Sequence, residues 1–124
     1  PVVVGKARLR VNSVVASVVK GVSVEAGAGA VVGFAGLVGA GRTELGEAIY
    51  GANPCISGII EVDGEEVSIR RPSDGLSKGI GYVTEDRKLE GLIQSHSIRH
   101  NMSMTGLSKF TNKLGKINKV QEHN

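Results

Sequence analysis

The chain has 124 residues with 15 Lys and Arg against 12 Asp and Glu, a formal charge of +3, and it is 40% hydrophobic and 22% charged. That balance suits one ordinary globular domain and excludes both a disordered chain and a supercharged nucleic-acid tail. Aromatic residues make up only 3%, with no Trp, so the stacking platforms of single-strand nucleic-acid readers cannot be assembled in number.

One cysteine, Cys55, allows no internal disulfide framework and suits a reducing compartment. Its plain reading is a loop or buried thiol. No apolar run reaches the ~18 residues that a membrane-spanning helix needs, and the start has no charged-then-apolar signal sequence. The expectation is a soluble, cytoplasmic chain.

Taken in order, the Val-rich stretch Val2 to Val24 favours short strands, because β-branched side chains suit a pleated surface. Strands are expected near Ala7–Val11 and Val18–Val24. Gly27-Ala28-Gly29 breaks the chain before Ala30–Ala35, an apolar run of strand length without alternation, the pattern of a central strand covered on both faces. Gly36-Leu37-Val38-Gly39-Ala40-Gly41 follows it directly. A helix is expected from Arg42 to Tyr50, with Leu45, Ala48 and Ile49 on one face, closed by Gly51 and kept from resuming by Pro54.

Gly58–Val62 reads as the next strand, and Asp63-Gly64 before Glu65–Ile69 as a hairpin turn. Ser73 is placed as N-cap of a short helix or turn through Gly79, and Ile80–Val83 as another brief strand. Ser97 is expected to cap a last helix over Ile98–Leu107. After it Lys109, Lys113, Lys116 and Lys119 mark a polar tail, residues 108–124, with little to bury.

Gly36-x-x-x-x-Gly41-Arg42-Thr43 matches the phosphate-binding loop G-x-x-x-x-G-K-[ST] except that Arg42 replaces the lysine. Glycines are needed there because successive backbone N–H groups must fold around phosphate oxygens, and the free N–H groups of a helix start add a favourable potential for an anion. The nucleotide-binding residues are therefore placed at Gly36, Gly39, Ala40, Gly41, Arg42, Thr43 and Glu44. Arg42 would meet the β- and γ-phosphates, and the Thr43 hydroxyl is a hard oxygen donor for Mg²⁺. Arg keeps the charge of Lys but has a bulkier planar fork, so binding is expected over turnover and no catalytic residue is assigned.

A dinucleotide fold is the competing ligand reading, since Gly39-Ala40-Gly41 begins G-x-G and Asp63 lies near the end of the next strand. Glu44, however, occupies the third glycine position, and the hairpin turn accounts for Asp63. His96, His100 and His123 match no metal or catalytic spacing and are read as surface residues.

Gly33-Phe34-Ala35-Gly36-Leu37-Val38-Gly39-Ala40-Gly41-Arg42-Thr43-Glu44-Leu45 resembles the second of the two nucleotide-binding domains in the ATP-binding subunit of carbohydrate ABC importers, where Arg for Lys is itself usual. Gly51-Ala52-Asn53-Pro54 with Ser57-Gly58, Tyr82-Val83-Thr84-Glu85-Asp86-Arg87-Lys88 and Asn101-Met102-Ser103 extend the likeness, which covers about Val18 to Leu107. It implies an α/β fold, the partial P-loop NTPase of an ABC-type nucleotide-binding domain, with an antiparallel β subdomain and a strand–loop–helix carrying the phosphate loop. All 124 residues would form the N-terminal part of that domain.

The resemblance also implies ATP and Mg²⁺ as cofactors, with Glu85 standing where a Q-loop glutamine would help hold the metal. Residues Asp86 to Leu92 would face transmembrane permease subunits, and the first nucleotide-binding domain of the same polypeptide would be the second partner. The location implied is the cytoplasmic, inner face of the cell membrane, with no nucleic acid involved.

The family's adenine-stacking aromatic belongs around Val14 to Val19, and no aromatic residue occurs before Phe34. Nothing after Leu107 supplies a Walker B acid, a catalytic glutamate, the Leu-Ser-Gly-Gly signature or the switch histidine. Two readings outside the ATP-binding class stand beside it. One is a structural or interaction module of the transporter that binds no nucleotide, favoured by Arg42, Glu85 and the missing aromatic. The other is a small kinase or GTPase, opposed by the β-rich stretch before the loop and the lack of an N-K-x-D element.

Overall fold

The computed structural model describes residues 5–109, 111, 112, 116 and 117. The chain divides into two compact units, Pro1–Tyr82 and Val83–Asn124.

The first unit is built on a four-stranded antiparallel sheet in the order β2-β1-β3-β4, with β1 at Ala7–Ala16, β2 at Val19–Gly27, β3 at Ser57–Val62 and β4 at Glu65–Glu66. The expected first two strands are present, and β1 runs five residues further than the composition indicated. The reason is a bulge. Ser13 takes a left-handed φ of 49°, and the register of β1 shifts between Val11 and Val14 against β2. The extra residue lets Val11 and Val14 face the same core although they are three positions apart, which strict alternation forbids. Both are 0% exposed. The bulged amide of Ser13 is not wasted, since it donates to the Ser23 hydroxyl oxygen at 2.8 Å.

β3 passes this bulge at Gly58, whose φ is 109°. A Cβ there would lie 2.6 Å from the Val14 Cα and 2.8 Å from the Ser13 carbonyl oxygen, so only glycine fits. β3 reverses into β4 through Asp63 (φ 55°) and Gly64 (φ 85°), the two positive angles that a two-residue hairpin turn requires. The second strand of this hairpin is shorter than the expected Glu65–Ile69. Ladder pairing covers Glu65 and Glu66, and the Val67 amide still donates to the Ile60 carbonyl at 2.9 Å. Val67 and Ile69 then turn into the core.

Helix α1, Arg42–Tyr50, lays Leu45 and Ala48 on the inner face of the sheet, where they join Val11, Val14, Ala16, Val19, Ile60, Val67 and Ile69. Ile49 packs at the margin of the same core. Taking a Val, Leu or Ile of this cluster out of water contributes about 1.5–3 kcal/mol each before the entropy of ordering is subtracted.

On the outer face Arg10 sits between its cross-strand neighbours. Its Nε donates to Glu25 at 2.9 Å and its Nη1 to Glu61 at 3.0 Å, and the hydrogen bond and charge of Glu25, then those of Glu61, raise its pKa. The sheet thus has one apolar and one ionic face, as an antiparallel sheet open to water on one side should.

Gly51 ends α1 at φ 90°, with its amide on the Glu47 carbonyl at 2.8 Å, as the glycine in that place predicts. A Cβ on Gly51 would meet the Arg71 carbonyl and the Ile69 side chain at 2.7 Å. Helix α2, Pro72–Ser77, starts two residues earlier than expected, with Arg71 rather than Ser73 at the N-cap and Pro72 in the first turn. Proline has no N–H to leave unsatisfied and its φ is preset for a helix, which outweighs the capping preference of Ser73. Gly75 of α2 is buried against α1, and a Cβ there would lie 2.4 Å from the Tyr50 carbonyl oxygen.

Two expected strands are not formed. Ala30–Ala35 and Ile80–Val83 join no ladder among the described residues. Val31 is 98% exposed, and Val32 and Phe34 are also exposed. A strand covered on both faces needs neighbours on its edges and layers above and below, and the described residues supply neither.

The second unit holds a one-turn π-helix at Arg87–Gly91, helix α3 at Ile98–Ser103 and a 3-10 turn at Met104–Lys109. Asp86 begins the first of these, its carboxylate accepting from the Lys88 and Leu89 amides at 2.9 and 3.1 Å. Ser97 caps α3 as expected, its hydroxyl oxygen accepting from the His100 amide at 3.3 Å. The helix expected to reach Leu107 instead tightens after Ser103, and Gly106 (φ −107°, ψ 15°) interrupts it, consistent with glycine's poor helix propensity.

In the polar tail Thr111 and Ile117 form an antiparallel bridge, supported by the Asn112 amide on the Lys116 carbonyl at 3.0 Å. Lys113, Lys119 and His123 lie outside the described residues.

Candidate phosphate-binding loop

Gly36, Gly39, Ala40, Gly41, Arg42, Thr43 and Glu44 form one continuous loop and helix start, and the loop is curled. Leu37 through Ala40 make a turn in which the Ala40 amide donates to the Leu37 carbonyl at 3.1 Å. The ends of the turn come together closely enough that a Cβ on Gly36 would lie 3.0 Å from the Ala40 Cβ. Gly39 and Gly41 take φ values of 80° and 86°, which L side chains rarely adopt. The helix begins with the Leu45 amide on the Gly41 carbonyl at 2.9 Å. Among the described residues, the Gly39, Gly41 and Arg42 amides donate to no backbone carbonyl. They are what a helix start with a glycine loop before it offers to an anion.

The loop rests on the β1–β2 hairpin. Ser17 and Val18 form its tip, Ser17 with φ 45°, and Gly41 is buried so tightly against it that a Cβ would stand 3.3 Å from Cγ2 of both Val18 and Val19. Val18 beside the loop was not identified from its spacing, since a lone valine in a valine-rich stretch carries no signal. Its place is where the family resemblance puts a base-stacking aromatic, and an exposed aliphatic side chain occupies it.

Arg42 and Thr43 are exposed at the head of α1, and Glu44 is half-buried in its first turn, where a carboxylate favourably meets the positive end of the helix dipole. The Cδ of Arg42 lies 3.8 Å from where a Gly36 Cβ would be, so its stem folds back along the glycine loop. Glu85 belongs to the second unit and is exposed there.

Away from the loop, Gly46 on α1 faces Tyr82, whose ring would be 3.3 Å from a Cβ at Gly46 and stacks on Tyr50 at 5.5 Å between ring centres and 22° between planes. Cys55 is the plain loop thiol expected, partly buried and donating to the Ser57 carbonyl at 3.2 Å. In the second unit Asn101 organises the segment before α3. Its Oδ1 accepts from the Ile93 amide at 2.8 Å, and its Nδ2 donates to the carbonyls of Ile93 at 3.1 Å and Ser97 at 3.1 Å. Nothing in the sequence singled out that clamp beyond the family likeness around Asn101. Among the described residues no group of three or more His, Cys, Asp or Glu is placed to hold a metal, and no helix is long and apolar enough to cross a membrane.

Comparison with known proteins agrees with the loop. The family model described as "ABC transporter" matches residues 19–124. The chain belongs to the ABC transporter family. Among curated relatives, it is 49% identical over 94 residues to the "Ribose import ATP-binding protein RbsA" of Caldanaerobacter subterraneus subsp. tengcongensis, covering 76% of this chain and 19% of that protein. The chain thus spans about a fifth of the relative's length. No solved structure matches it. As an ABC transporter domain it is a P-loop NTPase fragment, in agreement with the mixed α/β content and antiparallel sheet.

Proposed function

We propose that this chain is the phosphate-loop portion of the ATP-binding subunit of a carbohydrate importer, taken from a degenerate second nucleotide site. The observation that carries the reading is the curled glycine loop before α1, with Gly39 and Gly41 left-handed and, among the described residues, the Gly39, Gly41 and Arg42 amides without backbone partners. The relative's name, a ribose import ATP-binding protein, supplies the transporter class. The backbone N–H groups of Gly39, Gly41 and Arg42 would bind phosphate oxygens, with the Arg42 side chain as the cation, while the Ala40 amide stays on the Leu37 carbonyl.

The donor offered to a metal at the loop, the Thr43 hydroxyl, is a hard oxygen of the kind that suits a largely hydrated Mg²⁺; the Glu85 carboxylate, of the same chemical kind, belongs to the second unit. When bound, Mg²⁺ would neutralise phosphate charge. The chain's own residues would position the phosphates and do nothing more, because hydrolysis in P-loop enzymes also needs an acid and a water-orienting group. The aliphatic Val18 at the base position implies weak adenine contact. In the whole protein the partners would be transmembrane permease subunits and the first nucleotide-binding domain of the same polypeptide, at the cytoplasmic face of the membrane.

The reading is tested by titrating the ¹⁵N-labelled chain with Mg-ATP. Saturable amide shifts confined to residues 36–44 are expected, without measurable phosphate release. A flat titration, with inorganic triphosphate equally silent, would instead favour the structural module that binds no nucleotide, a reading supported by the aliphatic hairpin tip beside Gly41.

A further inference from the structure

Charge is divided unevenly between the two units. Residues 1–82 hold eight Lys and Arg against eight Asp and Glu, so the formal charge of +3 lies wholly in residues 83–124. Within the second unit it is concentrated further. From Gly91 to Gln121 the sequence has no Asp or Glu, whereas Arg99, Lys109, Lys113, Lys116 and Lys119 all fall in that stretch. Arg99, Lys109 and Lys116 are exposed and pair with no acid among the described residues.

The same stretch keeps apolar side chains in water. Ile98 and Met102, one turn apart on α3, are 81% and 78% exposed, and with Leu92 and Ile93 they line a hollow of about 300 Å³ that has no carboxylate in its wall. Arg99 stands three residues before Met102 on that helix, so the cation and the thioether are surface neighbours. A second hollow of about 180 Å³ is lined by Met104, Leu107 and Ile117, and His96 borders both. Lys116 adjoins Ile117 in the chain, so cations and aliphatic groups alternate around the two hollows.

This surface is held in shape by the Asn101 side chain, which ties the backbone of Ile93 and Ser97 to α3 and so fixes Leu92 and Ile93 beside Ile98. An acid-free cationic stretch selects an anionic partner, and aliphatic side chains set among the cations select one with an apolar layer to receive them. A second copy of the chain would bring like charge against like. Nucleic acid has the charge but no layer for Ile98 and Met102, and the stretch offers it a single Phe and no Tyr or Trp on which to stack a base. A bilayer with anionic headgroups meets both requirements.

We propose that the second unit binds the surface of an anionic lipid bilayer, with Leu92, Ile98 and Met102 entering the headgroup boundary and Arg99, Lys109 and Lys116 meeting lipid phosphates. Neither set of groups is enough by itself. A few inserted apolar side chains give marginal partition and a few exposed cations are screened by salt, so attachment needs the two together. Binding of this kind requires no nucleotide and is independent of the phosphate loop.

The test mixes the full chain, without nucleotide, with vesicles of phosphatidylcholine alone or of phosphatidylcholine with about one third phosphatidylglycerol, and reads partition by co-sedimentation. Binding about tenfold or more stronger to the anionic vesicles is expected, and it should weaken as salt is raised. Lys109→Gln and Lys116→Gln should each weaken it about fivefold. The double variant Ile98→Ser, Met102→Ser keeps every cation and should weaken it about tenfold, while Val31→Thr, at an exposed valine of the first unit, should change nothing. Equal partition into both kinds of vesicle, or unaltered partition of the double variant, would overturn the proposal. So would no partition into either, which would leave the surface to an acidic protein partner. If the double variant loses its native amide spectrum, the two lysine variants decide the question, since both side chains are exposed and unpaired among the described residues.

Discussion

On its helical side the glycine loop is anchored by Gly41, buried against Val18 and Val19, and by α1, whose Leu45 and Ala48 lie in the core. On its other side residues 30–38 carry apolar side chains in water, with Val31 98% and Val38 100% exposed. Both flanks are apolar in sequence, yet only one is packed. What separates them is the source of their partners. The helical flank packs on a sheet whose strands β1, β2 and β3 all belong to the first unit, whereas the described residues offer the other flank no strand to pair with. The curl of the loop is thus held from the side that this chain can complete.

That contrast can be tested by mutation, and the largest effect should come from inside the packed region. Gly58→Ala sets a Cβ against the bulge backbone and should cost about 4 kcal/mol or more, read as a lowered urea midpoint or outright loss of the folded amide spectrum. Leu45→Ala should cost about 3 kcal/mol by the same measurement, since it empties the position that joins α1 to the sheet.

A smaller and pH-dependent effect is expected at Asp74. The Arg70 amide, and then the Arg71 guanidinium, hold its carboxyl below the usual carboxylate range. A depressed folded-state pKa contributes stability that is present above the unfolded value of about 3.9 and is lost as pH falls through the folded one. Asp74→Asn should therefore melt below the parent at neutral pH and converge with it in acid. Should the gap persist in acid, the carboxylate's charge is not the cause. Smallest of all, Val31→Thr should leave the urea midpoint within about 0.5 kcal/mol of the parent, because the side chain is already in water. A loss like that of Leu45→Ala would mean that the two flanks do not differ.

The loop itself was legible from the chain because its signals are local. Glycines at 36, 39 and 41 before Arg42-Thr43, the Gly51 stop, the Asp63-Gly64 turn and the Ser97 cap each depend on a few neighbouring residues and on backbone angles that only certain residue types tolerate. The placement of Val18 against Gly41, the Asn101 clamp and the start of α2 at Pro72 were not legible, since each depends on a contact or competition that composition does not record.

By itself, then, the sequence determined the turns at Gly51 and at Asp63-Gly64, the beginning and end of α1, the cap at Ser97, and that a glycine loop stands between an apolar run and an amphipathic helix. Tertiary structure alone decided which apolar run is buried. Val11 and Val14 reach one core only through the bulge at Ser13, and that bulge is accommodated only by Gly58 across the sheet. Residues 30–35 have the stronger apolar pattern and remain in water, because burial depends on partners brought from elsewhere in the chain, and hydrophobicity along a segment does not reveal whether they exist.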